Sequence, residues 1–253
     1  MKITLIGAGN VGSHLAKLFR ELNYEIVEVF SRTLEKAEKV AEMANASAVT
    51  DLSKVNAFCD IYIVAVHDDA IKTVSDQLEI GNGIIAHTSG AASIELLDKH
   101  KNYGSWYPLQ TFTPNRQPNW QEIPICLQAN DGRALELLLD LARTVNKNAT
   151  YLTDRQRSHL HIAAVFVNNF INHLLGVSQS ITTEQKLSND LLMPLLKETI
   201  SKAQTAHPFL QQTGPAKRGD MKTIEKHLSL LSESHHELYL TISNNIQKTH
   251  ERE

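Results

Sequence analysis

A glycine pattern near the first residue constrains the fold of this chain more than any other feature. Residues 3–6 form a short apolar run, and the pattern G-x-G-x-x-G at residues 7–12 follows it directly. From Val11 to Leu22, apolar residues recur at three- and four-residue spacing, which predicts a helix that opens on the glycines. A strand, a glycine turn and a helix in this order are typical of a dinucleotide-binding unit.

The glycines of this turn suit a pyrophosphate for physical reasons. They allow a tight turn, a close approach of the backbone to the phosphates and close packing of helix against strand. The helix N-terminus adds free N–H groups and a positive dipole end. The alternative is a glycine turn in an unrelated α/β unit. We predict that the cofactor-binding residues of the turn are Gly7, Ala8, Gly9, Asn10, Val11 and Gly12.

The end of the second predicted strand, residues 25–30, bears on the choice between NADP and NAD. NAD-binding proteins usually place an acidic residue there for the ribose hydroxyls. This chain instead has Ser31 and Arg32, a hydroxyl and a guanidinium that suit a 2′-phosphate, and Glu28 lies too deep in the strand to replace the acid. We therefore predict NADP, with NAD less favoured. The alternative is that Arg32 is only a solvated loop residue.

The predicted fold class is α/β, with an N-terminal Rossmann-like, doubly wound parallel sheet followed by an all-α domain. Strand and helix patterns alternate up to a last short strand at residues 149–152, and only helical periodicity follows, at residues 157–181, 190–205 and 223–247. We place the boundary between residues 152 and 153. The domain of residues 1–152 is predicted to bind the dinucleotide, and residues 153–253 to serve substrate binding and dimerisation.

Ligands of open α/β sheets bind beyond the carboxyl ends of the strands. The loop after the fourth strand contains Val66 and His67, and the loop after the fifth contains His87, Thr88 and Ser89. The first four of these residues are predicted to bind the cofactor, and Ser89 to orient a substrate. For the second loop the alternative is an ordinary turn in which a hydroxyl caps the next element.

The helical domain supplies candidate catalytic groups. His161 and Asn169 belong to a series at four-residue spacing, with Val165 and His173, on a helix rich in small apolar residues. Histidine is the usual proton donor near neutral pH, so we predict His161 as the donor and Asn169 as an orienting group. The alternative is that both are buried polar residues or helix-interface contacts.

A second feature of this domain is the segment at residues 213–220, in which glycine and proline interrupt the helical pattern. Two adjacent cations, Lys217 and Arg218, are candidates for binding a substrate carboxylate or phosphate. The alternative is an interhelical turn with solvated charges.

Composition excludes several classes of protein. Lys plus Arg total 25 and Asp plus Glu total 28, so the net charge of −3 gives no electrostatic case for a nucleic-acid or anionic-membrane partner. The early apolar run is too short for a signal peptide, and a cytoplasmic location is expected. No uninterrupted apolar run suggests a membrane span. The histidines show no metal-ligand spacing, and no metal is expected.

Several motifs together resemble a known bacterial family. They are IGAGNVG at 6–12, HTSGA at 87–91, YPLQTF at 107–112, PICL at 124–127, HIAAVF at 161–166 and TGPAKRGD at 213–220. The family joins a Rossmann-like domain to a helical domain of unknown function and is often labelled NADP oxidoreductase. It is similar in architecture to pyrroline-5-carboxylate reductase, ketopantoate reductase and the 6-phosphogluconate dehydrogenase group. The resemblance implies a substrate cleft between domains and a homodimer.

Two functional hypotheses follow. The first is an NADP-dependent oxidoreductase that transfers hydride between the nicotinamide and a small carbonyl or imine substrate. The second is a non-catalytic, dimeric module that binds a dinucleotide or senses redox state. The second is favoured by the lack of an evident acid/base pair in this chain. Relatives among the hydroxyacid dehydrogenases carry a Lys and an Asn four residues apart on the interdomain helix. In this chain Val165 or a neighbour stands in place of that Lys.

Overall fold

The computed structural model describes residues 1–114 and 116–251, which form two compact units, Met1–Asn168 and Asn169–Glu253. The first unit is built around one eight-stranded sheet of order β3-β2-β1-β4-β5-β6-β7-β8. Its strands are β1 Lys2–Ile6, β2 Glu25–Phe30, β3 Ser47–Val49, β4 Ile61–Val64, β5 Ile84–His87, β6 Tyr103–Pro108, β7 Ile125–Ala129 and β8 Ala149–Tyr151. The order reverses at β1, as in a doubly wound fold.

All neighbouring strands are parallel except β6 and β7, which pair antiparallel with Tyr107 opposite Cys126. The predicted doubly wound sheet is thus confirmed, with one reversed strand. Helices cover both faces because parallel strands need crossovers. In the first unit they are α1 Asn10–Glu21, α2 Leu34–Ala44, α3 Ile71–Gln77, α4 Gly132–Val145 and α5 Asp154–Ala164.

The sheet separates two apolar clusters of buried residues. On one face Phe19 and Trp106 pack with their ring centroids 5.9 Å apart, together with side chains from α1, α2 and α4. On the other face, Tyr62 of β4 and Ile71 of α3 belong to the second cluster. Because both faces of the sheet are buried, β4 is a continuous run of apolar residues.

The second unit is helical. Its helices are α6 Ile171–Glu184, α7 Met193–Thr205, α8 Pro215–Arg218, α9 Met221–Leu230 and α10 His236–His250. The helix predicted at residues 223–247 is wrong in one respect, since it is broken by a short 3₁₀ turn at Glu233–His235. Leu231 leaves the helical region with φ −82° and ψ 151°, which ends α9.

The two compact units divide later in the chain than the predicted boundary at 152/153. The reason is that α5 is tied to the sheet by side chains of Arg157 and His161, which hydrogen-bond to Ser105 and Tyr107. The division between the units falls inside a π-helical segment, Val165–Phe170, which interrupts the continuous α-helix predicted from the periodicity.

The helix Asp154–Glu184 is long and apolar enough to cross a membrane, on length and composition alone. It has 31 residues and a window of mean hydropathy 1.4. Polar residues scattered along this helix interrupt its apolar residues, so the sequence contains no uninterrupted apolar run here. Several large apolar side chains of this helix are exposed, among them Phe166, Val167 and Ile171.

Candidate active site

The glycine turn lies where three strand ends converge. The N–H of Gly7 donates to the carbonyl of Phe30 at the end of β2, and Ala65, after β4, donates to Ile6. Gly7 has φ +119°, and a Cβ there would stand 2.2 Å from the carbonyl oxygen of Ala65. A Cβ on Gly12 would stand 2.0 Å from the carbonyl oxygen of Gly7. These two glycines are therefore required by the fold of the turn itself.

Gly9 differs from its two neighbours in the pattern. No atom lies within 4 Å of the position that its Cβ would occupy, and its backbone is in the extended region, at φ −80° and ψ −167°. Gly9 is the N-cap of α1, where backbone N–H groups are free for an anion. The turn is thus open at the point where a pyrophosphate would approach, and the residues present fit a dinucleotide.

A second segment packs beside this turn. The side chain of Asn10 donates to the carbonyl of Phe112 at 3.0 Å, and His14 contacts the carbonyl of Thr113 through Nε2, also at 3.0 Å. The rings of His14 and Phe112 lie 5.4 Å apart. The chain after β6 is thereby attached to the start of α1, so the side chain of Asn10 anchors this segment.

Ser31 and Arg32 follow β2 as predicted, and the guanidinium-bearing side chain of Arg32 is exposed. The Ser31 hydroxyl accepts a 3.3 Å hydrogen bond from the N–H of Thr33 and shapes the turn. The carboxylate of Glu28 accepts from the N–H of Asn56 at 2.8 Å. Glu28 therefore binds a different loop, and the end of β2 presents the half-buried hydroxyl of Ser31 and the exposed cation of Arg32.

The loops after β4 and β5 lie at the same edge of the sheet. Val66 is half-buried and lies against Gly7, whereas His67 is exposed. Thr88 donates its backbone N–H to Val64, which joins the two loops. The Ser89 hydroxyl accepts from the N–H groups of Ala91 and Ala92, at 3.1 and 2.9 Å. The Ser89 oxygen therefore caps the turn, the geometry that the alternative interpretation describes.

His87 lies beneath this turn and is fully buried. Its Nδ1 accepts from the N–H of Ser89 at 3.2 Å. Burial, together with the positive charge of Arg157, lowers the pKa of His87 to about 3. The imidazole is therefore neutral at physiological pH, and its side chain supports the turn from inside rather than facing solvent.

His161 is the predicted catalytic residue that the structure brings to this edge. It is half-buried on α5, and its Nδ1 lies 3.0 Å from the hydroxyl of Tyr107 at the end of β6. The two rings meet edge to face, with centroids 5.9 Å apart and planes at 74°. A Cβ on Gly90 would stand 2.5 Å from Nδ1 of His161, so the pair occupies the space that Gly90 leaves open.

A buried cation fixes α5, and the sequence did not reveal it. Arg157, one turn before His161, is fully buried. Its NH1 donates to Ser105 at 3.0 Å and to Gln128 at 2.7 Å, and its NH2 donates to the carboxylate of Asp154 at 2.7 Å. NH2 also donates to the carbonyl of Ala92. The helix is thus attached to β6, β7 and the turn after β5.

Asp154 completes this arrangement. Its carboxylate also accepts from the Ser93 hydroxyl and from the N–H of Ile94. Burial alone would raise the pKa of Asp154, but the hydrogen bonds from Ser93 and Arg157 and the charge of Arg157 outweigh it and hold the pKa below its usual value. Asp154 is therefore ionised at neutral pH and neutralises the buried guanidinium.

The remaining predicted residues lie in the second unit, and each is described within that unit alone. Asn169 is exposed in the π-helical segment. Lys217 and Arg218 form the end of α8, which begins at Pro215 after Gly214 at φ +108°. Lys217 is half-buried and Arg218 is exposed. Among residues 1–114 and 116–251, no group of three or more His, Cys, Asp or Glu side chains is placed to hold a metal ion.

Comparison with known proteins identifies the family. Residues 2–88 match the family described as "NADP oxidoreductase coenzyme F420-dependent", and residues 123–246 match the domain of unknown function DUF2520. A solved structure described as a "putative NADP oxidoreductase", from Bacteroides fragilis, is 32% identical over 98% of each chain, with a TM-score of 0.89. The chain belongs to this two-domain family of NADP oxidoreductases.

More distant similarities extend the comparison to other proteins. A reductive aminase from Aspergillus terreus, solved with NADPH and ethyl levulinate, shares the fold at 16% identity and a TM-score of 0.73, over 99% of this chain and 94% of its own. Glutamyl-tRNA reductase from Sulfurisphaera tokodaii is 32% identical over 95 residues, which are 34% of this chain. The matched part spans only 23% of that relative's length. The aminase thus shares the fold of this chain, and the tRNA reductase shares a short matched segment with it.

Proposed function

We propose that this family member reduces a small carbonyl or imine compound with NADPH, or catalyses the reverse oxidation. The observation that carries the proposal is the position of His161. It lies on Gly90, at the carboxyl edge of the sheet that also holds the glycine turn, and its Nδ1 contacts Tyr107. Ligands of α/β oxidoreductases bind at this edge of the sheet, so a side chain that donates a proton to the substrate must lie there.

The chemistry divides between cofactor and protein. NADPH, when bound, supplies two electrons and a proton as hydride to the substrate carbon. The electron pair of the C=O or C=N bond moves to oxygen or nitrogen, which takes the Nε2 proton of His161 while Nδ1 takes the hydroxyl proton of Tyr107, so that the imidazole stays neutral. The Tyr107 oxygen then regains a proton from water. The protein therefore contributes the binding site, the orientation and the proton.

The other predicted residues keep supporting roles in this proposal. Gly9 and the N-terminus of α1 hold the pyrophosphate, and the exposed Arg32 holds the 2′-phosphate. Ser89 orients the substrate. The orienting role of Asn169 and the anion-binding role of Lys217 and Arg218 stay predictions from the sequence, since these residues belong to the second unit. Ser89 can still donate its hydroxyl proton, since the hydrogen bonds to Ala91 and Ala92 use only its oxygen.

A panel assay tests the proposal against the alternative of a non-catalytic, redox-sensing module. The protein is mixed with NADPH and a series of small ketoacids, aldehydes, ketones and imines, while nicotinamide absorbance and cofactor binding are followed. Substrate-dependent loss of absorbance supports an oxidoreductase. Tight NADPH binding with no oxidation across the panel favours the sensing module.

Arg32 gives a test of cofactor choice. Replacing Arg32 by Ala should raise the Kd for NADPH about 10- to 100-fold, because a charged hydrogen bond is worth about 1.5–3 kcal/mol, and leave the weaker binding of NADH nearly unchanged. Isothermal titration with both cofactors measures this. Lys39→Ala, which removes an exposed charge from α2, is the matched control. Tighter binding of NADH than NADPH by the unmodified protein would reject NADP as the preferred cofactor.

The glycines give a second test. Gly9→Ala should fold as stably as the wild type, within about 1 kcal/mol, since its Cβ enters open space. It should weaken NADPH binding by about tenfold or more, because that space is where the pyrophosphate belongs. Gly132→Ala, at the start of α4 and likewise unobstructed, is the control and should bind normally. Unchanged binding by Gly9→Ala would place the phosphates elsewhere.

We also propose that the protein is a homodimer. The second unit exposes large apolar side chains, including Leu174, Leu191, Leu195 and Ile200, and such surfaces in a soluble chain mark contacts with another molecule. A second copy is the occupant that accords with the expectation from the family. Light scattering without detergent should give twice the mass of one chain. A protein that stays insoluble without lipid or detergent would instead favour a membrane as the partner.

A further inference from the structure

The pair formed by Tyr107 and His161 determines more than the position of a proton donor. The Tyr107 hydroxyl lies 3.0 Å from Nδ1 of His161. Tyr107 is buried, and burial raises its pKa to about 12. The hydroxyl therefore keeps its proton throughout the physiological range. A buried hydroxyl needs an acceptor for that proton, and Nδ1 is the partner shown for it among the described residues.

A hydroxyl that donates to Nδ1 decides which nitrogen of the neutral imidazole carries hydrogen. A neutral histidine has one N–H, and the other nitrogen is an acceptor. If Nδ1 accepts from Tyr107, the hydrogen is on Nε2. We propose that Tyr107 is a positioning residue that holds His161 in the Nε2–H form and directs Nε2 to the substrate.

The surroundings of the pair indicate a fixed arrangement. A Cβ on Gly90 would stand 2.5 Å from Nδ1 of His161 and 2.8 Å from Cζ of Tyr107, so the glycine backbone packs directly against both rings. One turn earlier on α5, Arg157 is fixed to Ser105, two residues from Tyr107 on β6. The helix and the strand that carry the two rings are thus joined at a second point, which limits sliding of one ring past the other.

This arrangement narrows the substrate class, and this part rests on the function proposed above. An Nε2–H group is a hydrogen-bond donor, so it binds an acceptor: a carbonyl oxygen or the lone pair of an unprotonated C=N nitrogen. An iminium cation has no lone pair on nitrogen and offers Nε2 no acceptor. We infer that the site takes neutral carbonyl compounds and neutral imines in preference to iminium cations.

The tautomer can be measured without any substrate. Two-bond ¹H–¹⁵N correlation spectra of the ¹⁵N-labelled, NADP-bound full chain, with His161 assigned through His161→Gln, should show the Nε2–H pattern for His161. Tyr107→Phe removes the donor and should give a mixture of the two neutral forms. Tyr103→Phe is the control, since its hydroxyl is on the same strand but bonds Glu95. An Nδ1–H pattern in the wild type, or no change in Tyr107→Phe, overturns the role of Tyr107.

Kinetics on the panel substrates give an independent readout. Tyr107→Phe should lower kcat about 10- to 100-fold for a neutral substrate and leave KM within about twofold, since it changes the orientation of the donor and not the binding surface. The wild type should prefer a cyclic neutral imine to its N-methyl iminium salt by at least about tenfold. Equal rates on both would overturn the substrate inference. If no compound on the panel is reduced, the proposed function is rejected. The tautomer measurement still tests the role of Tyr107 independently of turnover.

Discussion

The His161→Ala protein is expected to bind NADPH as the wild type does and to turn over substrate about 10²- to 10⁴-fold more slowly, which is the usual contribution of a positioned general acid. The two effects separate because His161 and the dinucleotide turn belong to different elements. His161 is on α5 and contacts Tyr107, whereas the turn is formed by Gly7, Gly9 and Gly12 at the start of α1.

The measurement is kcat and KM on a reactive panel substrate, with the Kd for NADPH determined by titration. His159→Ala is the matched control because it removes an imidazole from the same helix. His159 is exposed, and its Nδ1 bonds the carbonyl of Arg155, away from Tyr107. The control should keep wild-type rates. Wild-type turnover in His161→Ala would remove His161 from the mechanism and favour the non-catalytic alternative.

The local parts of the fold were predictable from local patterns. The strand Glu25–Phe30 was predicted with the bounds that the structure gives. It is a short segment rich in β-branched residues, and it ends at the polar residues Ser31 and Arg32. The helix break at Glu233–His235 was missed because it contains neither glycine nor proline, and apolar residues continue at helical spacing on both sides.

The direction of β7 depends on tertiary structure and could not be predicted from its sequence. A βαβ pattern implies parallel strands, but the described residues between Pro108 and Ile125 form one short 3₁₀ turn, Trp120–Glu122, and no α-helix. Such a loop places no restriction on strand direction, and β7 pairs antiparallel to β6. A periodicity identifies the strand and its apolar residues without specifying its neighbour.

The candidate site was predictable in part. The glycine turn and His161 carried recognisable signals, since one is a spaced motif and the other is a histidine among small apolar residues. Tyr107 belongs to a motif of the family resemblance, but its role depends on a contact 54 residues away along the chain. Arg157 was missed because a charged residue near a helix start is expected to be solvated. The capping box of Thr153 and Gln156 and the acidic Asp154 in the first turn mark that helix start, but neither indicates a buried guanidinium.

The pair of Asp154 and Arg157 leads to the largest expected effect on stability. Asp154→Asn should lower the free energy of unfolding of the first unit by about 3 kcal/mol, at the lower end of the range for breaking a buried pair, since Asp154 is 31% exposed. The cost arises because the guanidinium of Arg157, with 1% of its side chain exposed, would then be a buried charge without a counterion. Its bonds to neutral Ser105 and Gln128 use NH1 and leave its charge without a counterion.

A second pair in the same unit provides the control. Asp140 and Arg143 have the same i, i+3 spacing, but their side chains are 64% and 60% exposed, and the ion pair is 3.6 Å long. Asp140→Asn should therefore cost less than about 1 kcal/mol. Urea unfolding followed by tryptophan fluorescence suits the comparison, since both tryptophans, Trp106 and Trp120, belong to the first unit.

The effect of Asp154 should also depend on pH with a definite sign. Its pKa is lower in the folded protein than in the unfolded chain, where it is about 3.9. The carboxylate therefore contributes its full stabilisation above about pH 5, and loses it as the pH falls through the folded-state pKa. The difference in unfolding free energy between wild type and Asp154→Asn should be constant from about pH 7 to 5 and shrink below about pH 4. A difference independent of pH would mean that packing of the side chain, and not the ionised carboxylate beside Arg157, holds α5 and thus His161 in place.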